Sequence, residues 1–119
     1  MKYEFTTETK VVRGVTVKRI RRVDTKELGG FLEHERNLDA SSEAWVFGEA
    51  CVFGGARVFD GARVCDEARV FGEARVSGKA LVSGKALVSG KALVSGEAWV
   101  FGEARVFDEK EITEGKVIK

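Results

Sequence analysis

The chain has 119 residues, enough for one domain, and its 20 basic and 19 acidic side chains leave a net charge of +1. No global field therefore draws it toward nucleic acid or a membrane surface. No apolar run follows Met1 and no segment is long enough to span a bilayer, so a cytoplasmic chain without membrane contact is expected.

Residues 1–23 read MKYEFTTETKVVRGVTVKRIRRV. β-Branched and aromatic residues alternate with polar ones, which predicts strands, and Arg13-Gly14 is a hairpin turn. Residues 1–30 are therefore expected to form an N-terminal β-hairpin that caps whatever follows. Six basic residues fall between positions 10 and 22: Lys10, Arg13, Lys18, Arg19, Arg21 and Arg22. They read either as an anion-binding patch or as the solvated side of an amphipathic hairpin. No aromatic platform is interleaved with them, so the solvated side is preferred and nucleic acid is not an expected partner.

Within residues 24–43, Gly29-Gly30 marks an expected turn. Counting back in sixes from Val46 puts Leu32, Leu38 and Ala40 at inward places. A degenerate first coil thus begins near Phe31, and residues 31–119 form the second region. His34, the only histidine, falls on an inward place in that frame.

From Ala44 to Glu109 the chain is eleven uninterrupted units of six residues. Ala opens each unit, Val is third, and Gly or Asp is fifth. Side chains two apart on a strand share a face, so Ala and Val point inward and the residue between them outward. Gly and Asp tolerate the dihedrals of a tight corner. A short strand and a corner, repeated, close a coil, and stacked coils pair their strands in parallel. A helix is excluded, because six does not fit a period of 3.6 and repeated Gly is costly there. The expected fold is all-β, a parallel solenoid of about four coils. At about 4.8 Å per rung it stands about 20 Å tall.

Positions eighteen apart then stack on adjacent rungs. One outward face carries Trp45, Arg63, Leu81, Trp99 and Val117. The second carries Cys51, Arg69, Leu87 and Arg105, and the third Arg57, Arg75, Leu93 and Glu111. Exposed tryptophans with an arginine between them have the composition of a protein interface. The competing reading is that the chain's own N-terminal segment covers them. Corner charges alternate in sign in columns such as Glu67, Lys85 and Glu103. Phe53 and Phe71 stack on one edge. Cys51 and Cys65 occupy different places in the frame and are expected to stay free thiols, which fits a reducing compartment. After Glu109 the pattern decays: Lys110 and Lys116 stand at Ala places, with Ile112 and Ile118 at Val places. Residues 110–119 are therefore expected to form a degenerate capping rung, since lysine does not fit a dry core unpaired.

The eleven units resemble the hexapeptide-repeat, left-handed parallel β-helix family, in which three units make one triangular coil. The run VTVKRIRRV followed by LGGFLEHERNLDASSEAWVFGEA is also similar to the entry region of the YdcK-like acetyltransferase-like proteins. The resemblance implies a left hand, and it implies the activities of the enzymes in that family. Acyltransferases of this type use a histidine as general base and bind their acyl carrier between subunits, which makes His34 the one catalytic candidate. The related carbonic anhydrases hold zinc with three histidines, and this chain has one. No metal and no cofactor are expected. An ice-binding solenoid is excluded, since the outward places carry Arg, Leu and Trp instead of a flat Thr ladder. The reading is a non-enzymatic structural or binding solenoid. It self-associates as a dimer or trimer, or binds a protein partner, through the face of Trp45, Arg63, Leu81, Trp99 and Val117. The alternative is a small acyltransferase with its site between subunits.

Overall fold

In each six-residue unit Ala and Val turn into the coil, and the burial is complete: from Ala44 to Val106 no repeat Ala or Val is more than 2% exposed. The computed structural model describes residues 2–118. It is a β-solenoid whose units contribute strands of two or three residues to three parallel sheets. Register is eighteen residues, as in Leu81 opposite Trp99 and Val82 opposite Val100. Between rungs the amide of Arg69 donates to the carbonyl of Ala86 at 3.0 Å, and its equivalents repeat along the coil.

Corners are left-handed. Gly84 has φ 65°, and a Cβ there would lie 2.8 Å from the Gly102 nitrogen on the next rung. Asp66 takes the same place with φ 60°, and its carboxylate accepts from the amide of Gly84 at 3.0 Å.

The first coil follows a different count. Strand β3 (Leu28–Leu32) pairs in parallel with Cys51–Val52, so that Leu32 lies opposite Val52. Leu38 bridges to Val58. Both pairs are twenty residues apart, so Leu32 and Leu38 occupy Val places and His34 moves out to a corner. This corrects the backward count. The two additional residues lie between Leu38 and Val46, in a turn where Asp39 accepts from the Ser41 amide and hydroxyl at 3.1 and 2.9 Å. A single 3₁₀ turn, Glu35–Asn37, ends on the fully buried Asn37. Its amide donates to the carbonyls of Gly54 and Ala56, and its oxygen accepts from the amides of Glu33 and His34. The entry coil is thereby fastened to the second rung.

At the other end, Glu111–Ile112 keeps the eighteen-residue register with Leu93–Val94. The next corner is one residue short, so Lys116–Ile118 pairs with Trp99–Phe101 and Val117 lies opposite Val100. Val117 therefore packs on the core and Lys116 takes the outward place beside Trp99, reversing the expected positions. Lys110 is exposed. With an ordered entry coil and an ordered last coil, the solenoid has five turns, one more than the six-residue count.

Strands β1 (Tyr3–Val12) and β2 (Val15–Arg22) form the hairpin, turning through Arg13 and Gly14 with φ 52° and 81°. β2 pairs antiparallel with β3, so the hairpin continues one sheet of the solenoid to seven strands. Tyr3 and Ile20 close the end of the core, over Leu32 and Leu38. The Tyr3 hydroxyl donates toward the carbonyls of Glu35 and Leu38 at 2.9 and 3.0 Å, and burial pushes the phenol up to about 12. Val12 and Val17 cover Phe31, Cys51 and Phe53 on the outer side.

Candidate functional surface

The two tryptophans of the proposed face have different surroundings. Trp45 is 1% exposed. The Arg22 guanidinium lies 4.1 Å over its ring, the Lys2 ammonium lies 5.9 Å away, and Tyr3 meets it edge-on. Gly29 is glycine because a Cβ there would lie 2.6 Å from Trp45 Cζ2. The hairpin has taken this ring as its own docking surface.

Trp99 is half-buried, with Leu81 beside it on the preceding rung. Its ring packs on Phe101 at 4.4 Å and its indole N–H donates to the Ser83 hydroxyl at 3.1 Å, so its orientation is held by the protein. The Lys116 ammonium lies 5.3 Å from the ring. The outward column now reads Arg63, Leu81, Trp99 and Lys116, an apolar pair between two cations.

The basic residues of the hairpin do not converge. Arg21 pairs with Glu4 at 2.6 Å and Arg22 with Glu27 at 3.1 Å. Lys10 pairs with Glu49 at 3.3 Å and lies over the Phe31 ring. Arg13 lies over Phe71, which stacks on Phe53 at 5.1 Å, and Lys18 lies near Phe5. Arg19 is the centre of this network. It donates to Glu8 at 2.8 Å, to Glu49 at 2.7 Å, and to the carbonyls of Gly29 and Gly48. Burial opposes its charge, but the hydrogen bonds to Glu49 and Glu8 outweigh that and hold it protonated. The bond from Arg19 in turn keeps the Glu49 carboxyl below its ordinary 4.5. The available sequence signal was phase: Arg19 lies two residues after Val17, on the side of β2 that meets the solenoid.

His34 stands at an exposed corner with its Nε2 3.4 Å from Glu33. The Glu33 carboxylate also accepts from the Gly54 amide, which ties it to the corner. Cys51 and Cys65 are free thiols, both pushed up by burial. The corner charges stack by rung, yet among the described residues all seven ion pairs fall within residues 4–49. Side chains such as Glu67 and Lys85 are exposed, where the attraction is too weak to fix one geometry. Among these residues no three metal-ligating side chains come together. No described helix is long and apolar enough to cross a membrane.

No family model matches this chain, and no curated protein matches it.

Proposed function

We propose that this chain is a structural or binding module that self-associates, or receives a protein partner, through the face carrying Leu81 and Trp99. The observation that supports this is Trp99. A large aromatic ring is left partly exposed on a rigid rung, packed on Phe101, hydrogen-bonded to Ser83 and flanked by Leu81. A pre-oriented aromatic group beside an aliphatic one, with cations at the rim, has the make-up of an interface centre. The eighteen-residue register, three six-residue units to a turn, supports the further reading that the coil is a left-handed member of the hexapeptide-repeat group. Free thiols at Cys51 and Cys65 fit a reducing compartment such as the cytoplasm. The acyltransferase reading gains no support from His34, an exposed corner residue turned to Glu33.

The test is solution mass by light scattering across a hundredfold range of concentration, for the wild type and for Leu81→Lys/Trp99→Ala. An oligomer that becomes a folded monomer in the double variant supports self-association through this face. An oligomer unaffected by the double variant removes the face from the interface. A monomeric wild type leaves only the protein-partner form of the proposal.

A further inference from the structure

We infer that the cleft between the entry coil and the face carrying Arg57 and Arg75 binds a small molecule with two oxyanion groups. Arg57 and Arg75 are directly opposite one another on adjacent rungs, about 4.8 Å apart along the stack. Both are exposed, and among the described residues neither has a carboxylate within 4.0 Å. Arg36 faces the same cleft, its guanidinium reaching only the Gly54 carbonyl at 3.4 Å. In the hairpin, by contrast, Arg19, Arg21 and Arg22 each hold a carboxylate.

Like charges directly opposite on a sheet are destabilising, and the other faces avoid them. Arg63 lies between Trp45 and Leu81, and Arg69 between Cys51 and Leu87. Among the outward places of the described solenoid strands, only the Arg57 face sets two like charges opposite one another. The repulsion is relieved when an anion occupies the space between the two guanidinium groups. The space is there: the cleft has a volume of about 680 Å³, and the partly exposed Ala40 and Phe59 supply its apolar wall. Glu35 and Asp39 stand at the entry-coil side, and the Asp39 carboxylate is occupied by Ser41. Three cations against two carboxylates leave the cleft positive.

Guanidinium groups present forked donors that match the oxygens of a phosphate or a carboxylate. Two such forks one rung apart fit a ligand whose oxyanions are separated by a similar distance. That chemistry is shared by diphosphates and short dicarboxylates. It is independent of the Leu81–Trp99 face, which lies on another sheet.

The experiment is isothermal titration at low ionic strength in metal-free buffer, with inorganic pyrophosphate and succinate as the two probes. The proteins are the full chain, Arg57→Gln, Arg75→Gln and the control Arg69→Gln, each checked by its melting curve. Binding of either probe is expected, weakened about tenfold by each cleft variant and unchanged by Arg69→Gln. The better probe identifies the oxyanion class. Binding of neither probe overturns the inference. So does equal weakening by Arg69→Gln, which means general attraction to a positive surface.

Discussion

Asp60 and Asp66 take the corner dihedral that glycine takes elsewhere, with φ at 60°. Each spends its carboxylate on the amide of the next rung, Gly78 at 3.1 Å and Gly84 at 3.0 Å. Two short residue types serve one place, glycine by freedom and aspartate by an added bond. Asp66→Ala keeps the left-handed strain and loses the bond, so a loss of about 1–2 kcal/mol is expected from urea unfolding. Asp66→Gly loses the bond but relieves the strain, and its midpoint is expected to lie much closer to wild type. Arg19 carries a pH dependence. Glu49, hydrogen-bonded by Arg19, has its folded carboxyl below the ordinary 4.5, and Glu4, hydrogen-bonded by Arg21, shifts in the same direction. A carboxyl lowered in the fold contributes stability that is present above its unfolded value and lost as pH falls through the folded one. The melting temperature is therefore expected to drop from about pH 5 downward. Arg19→Gln is expected to lower stability at neutral pH and to make that acid drop shallower.

The hairpin is the element that turns an open coil into a closed one. β2 pairs with β3, Tyr3 and Ile20 cover the end of the ladder, and Arg22 and Tyr3 enclose Trp45. Trp45 is a core residue of the cap-to-coil junction. Trp45→Ala should cost about 3–5 kcal/mol, as loss of a buried tryptophan does. Trp99→Ala should cost clearly less, because part of that ring already meets water. Chemical denaturation of the two single variants separates them; equal losses would contradict the assigned roles. The basic run from Lys10 to Arg22 lies in a hairpin with four of its six charges paired to carboxylates, and the four carboxylate partners include Glu49, from the first repeat unit. Pairing of that kind is set by docking and leaves no mark at any one position.

Across the whole molecule the Ala and Val ladders run from turn to turn, and each turn meets only its neighbours. A fault in a middle turn therefore separates two halves that cannot bridge it. Val88 is fully buried between Val70 and Val106. Val88→Asp places an unpaired carboxylate in a dry ladder, and the chain is expected to lose its cooperative melting transition. A soluble variant with the wild-type melting curve would contradict this account of the core.

From Trp45 to Ile112 the coil was legible because the information is local. Ala-x-Val gives a short inward strand, Gly or Asp gives the corner, and six residues repeat without insertion until Glu109. The ends were less legible, because their register depends on loop length. Two residues more before Val46 moved His34 to a corner, and one residue fewer before Lys116 turned Val117 inward. The Arg57 and Arg75 pair was already visible in the eighteen-residue count, but the cleft beside it needed the entry coil in place. The limit is plainest in two units with the same sequence, AWVFGE, at Ala44–Glu49 and Ala98–Glu103. Sequence alone determined their shared strand, corner and outward tryptophan. Tertiary structure alone decided that Trp45 lies under the hairpin while Trp99 stays partly in solvent, because burial depends on what another part of the chain brings against a side chain.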